Sequence, residues 1–297
     1  MARINIMFSR FSAFYSTLIS TISAGFLEEE GLKASHSVAT PERTVRDALD
    51  DGSVQVVQSA VSSSWGAMEK GRSSDIVHFA QINERDGFFI TGRKADPAFN
   101  WVNLIGKKVL ADHGRQPLAM FKYAVHKKGV DFDAIDAIDA GGAGDMDAAF
   151  RAGEGDYIHQ QGPAPQQLEA DGVGHVLTCV GEAIGPVAFS SLSATRQWLE
   201  TDMAGAFMRA YRKARSYVND MPAAEIARRE AEYFEGIDPG VLDATIEFYQ
   251  GLGCWNPALA ITREAYEASL DVFLHSGLIT KRHAYDEVVV PPPGEEV

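Results

Sequence analysis

Two stretches of this sequence, separated by roughly one hundred residues, carry the same succession of signals. In the first, residues 4–8 form an apolar, strand-like run. Ser9-Arg10-Phe11-Ser12 follows, then a helix-like run to Glu30 that Gly31 closes, then a strand containing Val38. In the second, residues 109–111 are the strand, His113-Gly114 the turn, Gly129 the helix stop and residues 135–138 the next strand. A third element echoes too: Ala48-Leu49 with Gly52 aligns with Ala149-Phe150 with Gly153. A period this long is no solenoid repeat, so it points to two similar α/β lobes. Short strand–helix units repeated in this way favour right-handed crossovers and largely parallel sheets.

The junction at residues 106–119 shows what such a unit offers a ligand. Val109 to Ala111 is β-branched and apolar, glycine at 114 permits a tight turn, and Pro117 suits a first helical turn. Leu118, Phe121 and Val125 share one helical face. The free N–H groups of that helix point back at the loop and favour an anion or a hydrogen-bond acceptor. The Ser-rich loop at residues 59–65 ends the strand at 54–57, on the edge where open α/β sheets bind ligands. Residues 157–163 are a third strand end with polar and aromatic groups. Gly141-Gly142-Ala143-Gly144 has neither GxGxxG spacing nor a following GK[ST], so it does not read as a nucleotide loop.

Composition narrows the partners. With 27 basic against 41 acidic side chains, net charge −14, nucleic acid and anionic membrane are disfavoured. No apolar run is long enough to span a bilayer, so no membrane insertion is expected. The start lacks a basic-then-apolar leader, which predicts a cytoplasmic protein as the sequence stands and a periplasmic one if a leader has been removed. Cys179 and Cys254 make no disulfide framework and no CxxC spacing; no metal and no cofactor is expected. Thr40 is the expected cap, and Pro41 the first residue, of a helix reaching Asp51. Residues 76–81 and 87–91 are further strands, the second leading out of the first lobe. Met203, Phe207, Ala210, Tyr211, Ala214 and Val218 make an apolar stripe, and a helix capped by Thr262 buries Tyr266, Leu270 and Phe273 before stopping at Gly277. The tail at 291–293 is expected to be disordered.

Several motifs then carry a resemblance. Ala24-Gly25-Phe26-Leu27-Glu28-Glu29-Glu30-Gly31-Leu32 resembles the "GFFxxEGL" helix end of ABC-transporter substrate-binding proteins for sulfonates, nitrate and thiamine-pyrimidine precursors. Ala48-Leu49 with Gly52 resembles their "ALxxGxxD", and Leu104-Ile105-Gly106-Lys107-Lys108-Val109 their "LxGKxV". Trp255 and Ser276-Gly277-Leu278-Ile279 are also similar to theirs. The resemblance spans nearly the whole chain. It implies an α/β, two-lobe, periplasmic-binding-protein-like type II fold with a cleft between the lobes. Lobe I would comprise residues 1–91 with 187–297 and lobe II residues 92–186, with hinges near Thr91-Gly92 and Gly185-Pro186 that close on solute. The chain departs from the pattern at Gln55, where the family often has aspartate, while Asp156 is retained in the second copy.

Three function classes follow. The first is capture of a small organic solute, anionic or planar aromatic or heterocyclic, for an ABC permease. Its site would be Arg10, Phe11, Ser62, Ser63, Trp65, Asp112, His113, Arg115, Gln116, Tyr157, His159 and Gln161. Arg115 would be the main anchor for a planar acid unless Asp112 pairs with it, and Trp65 and Tyr157 would stack on a planar body. The second class is an enzyme on the same fold, pyrimidine-synthase, decarboxylase or hydrolase-like, with His113 or His159 as base. The cysteine-rich iron motif of the related yeast-type pyrimidine synthase has no counterpart here. The third is a cytoplasmic ligand sensor. No catalytic residue is assigned.

Overall fold

A computed structural model describes residues 1–294. Its strands are β1 (Ala2–Phe8), β2 (Leu32–Val38), β3 (Val56–Ser59), β4 (Ile76–Asn83), β5 (Phe88–Gly92), β6 (Lys108–Leu110), β7 (Asp136–Ile138), β8 (Tyr157–Gln161), β9 (His175–Cys179) and β10 (Ser190–Thr195). They form two five-stranded sheets with matching orders, β2-β1-β3-β10-β4 and β7-β6-β8-β5-β9. The echo in the sequence is therefore an echo of topology. β1 lies parallel between β2 and β3, as β6 lies between β7 and β8. The closing glycines match as well: Gly31 and Gly129 both have φ 76°, and Gly52 and Gly153 have φ 73° and 97°, a region other residues enter at a cost.

The sheets are mixed rather than largely parallel. β5 runs antiparallel to β8 and β9, and β10 antiparallel to β3 and β4. Each of these two strands is the first that the chain lays down after crossing between sheets. The pairing of β5 also corrects the position of the first crossing. Residues 88–92 belong to the second sheet, so the crossing lies at residues 84–87 and not at Thr91-Gly92. The return runs through residues 185–189 into β10.

Gln55 turns out to do the work of the aspartate it replaces. Its Oε1 accepts from the Asn5 N–H at 2.8 Å, and Asp156 Oδ2 accepts from the Lys108 N–H at 3.0 Å at the matching place. A neutral carbonyl satisfies that backbone donor as a carboxylate does.

One apolar cluster spans both sheets and the C-terminal helices. Phe14 packs on Phe189 and Tyr249, with ring centroids 5.4 and 4.9 Å away, and Phe89 packs on Phe248 at 4.9 Å. The helix Pro239–Leu252 ties the crossing to the second sheet: Tyr249 Oη donates to the Gly87 carbonyl at 2.8 Å and accepts from the Gly162 N–H at 2.9 Å. The helix Arg263–His275 is capped by Thr262 as expected and buries Tyr266, Leu270 and Phe273.

Local expectations fail in four places. The run toward Glu30 breaks at Gly25 (φ 80°) into Ser16–Ser23 and Phe26–Glu29. Thr44, not Thr40, caps the helix Val45–Asp50, because Asp47 three residues on completes a capping box. The Ser-rich run becomes the helix Ser62–Met68 instead of a loop. Finally, the Pro-rich segment is packed rather than loose. Val290 donates to the His78 carbonyl at 3.0 Å, Pro292 is buried, and Arg212 donates to the Pro293 carbonyl at 3.1 Å. The segment covers the edge of β4, which lies last in its sheet and would otherwise expose unpaired backbone.

Candidate functional site

The C-terminal ends of the parallel strands of both sheets meet at one cleft. β1 runs into Ser9-Arg10, and β3 into Ser59 and the start of the helix Ser62–Met68. β6 runs into Asp112 and the start of the helix Arg115–Lys127, and β8 into Gly162. Gln58 of β3 fixes the turn after β1: its Oε1 accepts from Ser9 N at 3.0 Å and from Ser9 Oγ at 2.7 Å. That turn aims Arg10 across the cleft.

Polar contacts span the gap at several points. Arg10 pairs with Asp112 at 2.5 Å, Ser62 Oγ donates to Gln116 Oε1 at 2.7 Å, Ser12 Oγ donates to the Gly162 carbonyl at 2.5 Å, and Gln161 Nε2 reaches Tyr15 Oη at 3.4 Å. Asp112 Oδ1 also accepts from the Gly114 N–H at 2.8 Å. Gly114 has φ −53°, so no left-handed turn requires glycine here. The requirement is close approach, since a Cβ would sit 2.9 Å from Asp112 Oδ1.

Arg10 borders two cavities. The larger, about 390 Å³, is lined by Ser9, Ser62, Ser63, Arg115 and Gln116, with Phe88 as an apolar wall. The smaller, about 280 Å³, is lined by Phe11, Asp112, Gln160, Gln161, Tyr233 and Phe234. Arg115 opens the helix Arg115–Lys127, is exposed, and has no ion-pair partner among the described residues. Its guanidinium extends over the opposite helix, where a Cβ on Gly66 would meet Nη1 at 3.3 Å. Among the described residues no carboxylate lines the larger cavity. The guanidinium of Arg115, several hydroxyls and the free amides of a helix N-terminus therefore converge on it, with Arg10, whose charge Asp112 balances, at its edge, and this favours negative charge.

Burial sets the charges behind this surface. Burial alone would raise the pKa of Asp112, but the charge and hydrogen bond of Arg10 outweigh it and hold the carboxyl below its ordinary value. Burial works against the charge of Arg10, yet Asp112 raises its pKa overall. Behind them Asp86 is fully buried, accepts from the Phe88 N–H at 2.7 Å, and is pushed by burial up to about 7.

The profile of the NMT1/THI5 like family matches residues 15–225, more than two thirds of the chain. The chain belongs to that family. Among curated proteins it is 28% identical over 295 residues to "Putative binding protein YtlA" of Bacillus subtilis (strain 168), covering 96% of this chain and 87% of that one. Among solved structures it is similar to the periplasmic aliphatic sulphonate binding protein SsuA from Escherichia coli, with a TM-score of 0.75 and 18% identity over 100% of this chain and 94% of that one. The alkanesulfonate-binding protein SsuA from Xanthomonas axonopodis pv. citri, bound to MOPS, gives a TM-score of 0.74 and 18% identity over 98% and 99%. These likenesses bear out the two-lobe fold that the resemblance to substrate-binding proteins implied.

Within this family member, the predicted site residues divide. Arg10, Ser62, Ser63, Arg115 and Gln116 line the larger cavity, and Phe11, Asp112 and Gln161 the smaller. Trp65, His113, Tyr157 and His159 line neither. Trp65 is fully buried, its indole N–H donating to Tyr266 Oη at 3.0 Å and its ring packing on Phe273 at 5.0 Å. On a helix it turns inward, whereas on the expected loop it would have faced the cleft. Tyr157 begins β8, at the end remote from Gln161 and the cleft. His113 donates through Nδ1 to the Ala111 carbonyl at 2.8 Å. His159 is stacked between Phe88 and Phe121, 4.6 and 4.9 Å away, and burial lowers its pKa to about 3.

Asp112 pairs with Arg10, so the alternative in which it neutralises Arg115 does not occur. Sequence reasoning missed Ser9, Tyr15, Gln58, Phe88 and Gln160. Gln160 lies within the strand end at residues 157–163 that the sequence marked, but was not singled out there; at the end of β8 both Gln160 and Gln161 reach the cleft.

Proposed function

We propose that this chain is the solute receptor of an ABC-type import system, and that its solute is a small organic anion, a sulfonate or a carboxylate. The observation that carries the reading is the larger cavity, bordered by Arg10 and Arg115 with no carboxylate among the described residues that line it. The anionic head sits between the two guanidinium groups and the helix amides, and its apolar body lies on Phe88. Family membership and the likeness to binding proteins, a sulphonate binding protein among them, support the same class. The lobes correspond to the two sheets, with crossings at residues 84–87 and 185–189, and the partner is an ABC permease. No helix among the described residues is long and apolar enough to cross a membrane. An enzymatic reading finds less support, because neither His113 nor His159 lines either of the two cleft cavities and His159 is held neutral by burial. Native mass spectrometry of the protein purified from its own host tests the proposal. The expected result is one small organic anion retained per chain; a retained cation or uncharged sugar refutes it.

A further inference from the structure

The smaller cavity carries a second, different chemistry. Gln160 is 2% exposed and lines it, yet neither its Oε1 nor its Nε2 has a hydrogen-bond partner among the described residues. Gln161, 8% exposed, also lines it, with Oε1 unpartnered and Nε2 engaged only at 3.4 Å. Leaving a buried amide unpaired is unfavourable, and adjacent unpaired amides on one strand end point to an absent partner. The charges nearby are already committed. Asp112 gives one oxygen to Arg10 and the other to the Gly114 N–H, and Glu235 is exposed at the rim. The walls are planar and apolar: Phe11 lies nearly parallel to Tyr233 at 6.0 Å and tilts onto Phe234 at 5.4 Å.

We infer that the smaller cavity is a binding subsite for a neutral, planar group that presents an N–H donor beside a carbonyl acceptor. A carboxamide, urea or lactam has this edge; the Gln160 amide, closed off in this arrangement, turns toward the cavity to pair with it through two parallel hydrogen bonds, while the faces of the group lie against the rings. Because Arg10 borders both cavities, one ligand spans them, with its anion in the larger and its amide in the smaller. The inference rests on the anion reading proposed above and adds the second half of the ligand.

Calorimetry with matched probes separates the two. Benzenesulfonate is compared with 4-carbamoylbenzenesulfonate and 4-(aminomethyl)benzenesulfonate, and benzoate with 4-carbamoylbenzoate, on the wild type and on Gln160→Met. The carbamoyl compound is expected to bind the wild type at least about tenfold tighter than its parent, the step a well-formed buried hydrogen-bond pair supplies. In Gln160→Met that ratio should fall to near one. The unliganded variant should melt no lower than the wild type, since it removes an unpaired amide. Gln160→Asn, which withdraws the amide by one methylene, serves should Gln160→Met fail to fold, and should show the same fall in ratio. Equal affinities in the wild type, a ratio that survives substitution, or tighter binding of the aminomethyl probe overturns the inference while leaving the anion reading in place. Failure of every sulfonate and carboxylate to bind overturns the anion reading and this inference together.

Discussion

Arg10 and Asp112 join the two lobes across the cleft, and their coupling follows from where they sit. The pair is 2.5 Å apart, with side-chain exposures of 35% for Arg10 and 8% for Asp112. Breaking a fully buried pair costs about 3–5 kcal/mol, because a desolvated charge is left alone. A fully exposed pair contributes only about 0.2–1 kcal/mol. Here one partner is buried and the other is reached by water, so each single substitution, Arg10→Met or Asp112→Asn, should cost about 1–3 kcal/mol. The double variant should recover part of that loss, giving a coupling of about 1–2 kcal/mol. Urea denaturation at pH 7 on the four proteins measures it by linear extrapolation. The pH dependence supplies an independent sign. Asp112 is held below its ordinary pKa, so the coupling is fully present above the ordinary carboxylate range and is lost as pH falls through the depressed value. A coupling below about 0.3 kcal/mol, within the additivity of independent sites, would refute the reasoning.

Two further outcomes test the scaffold. Glu230 is fully buried, accepts from Ser16 Oγ at 2.7 Å and Ser20 Oγ at 2.8 Å, and is raised by burial to about 8. Its contribution is present below the ordinary carboxylate pKa and is lost as pH rises toward about 8, so Glu230→Gln should flatten stability between about pH 4 and 8. At pH 8 the variant should be the more stable by about 3–5 kcal/mol, as denaturation across that range would show. Trp65→Ala should lower stability by about 3–5 kcal/mol and leave ligand affinity unchanged in the folded fraction; lost affinity without lost stability would return Trp65 to the site.

The architecture was legible because it is written twice. Glycines that close helices must take left-handed conformations, so Gly31 and Gly129, and Gly52 and Gly153, survive as punctuation in both copies. Mixed pairing was not legible, because the direction of β5, an apolar run, and of β10, a Ser-rich one, depends on where the chain crosses, and no local residue encodes that. Arg10 and Arg115 could be found, since strand ends followed by helix starts mark the cleft edge. Trp65 was misplaced because a Ser-Ser-Ser run reads as a loop, while packing of the indole against Tyr266 and Phe273 makes it helical. Gln160 was not singled out from its strand end because nothing in its own sequence neighbourhood shows that its amide lacks a partner; only the fold does.

Calorimetry of the wild type and Arg115→Ala, titrated with the anion recovered from the native protein, bears on the central claim. Arg115 is exposed and without an ion pair among the described residues, so its removal opens no core cavity and should leave the melting temperature unchanged. Losing charged hydrogen bonds to the ligand should weaken binding by about 1.5–3 kcal/mol, roughly ten- to a hundredfold in the dissociation constant. An unchanged affinity in a well-folded Arg115→Ala protein would contradict the account.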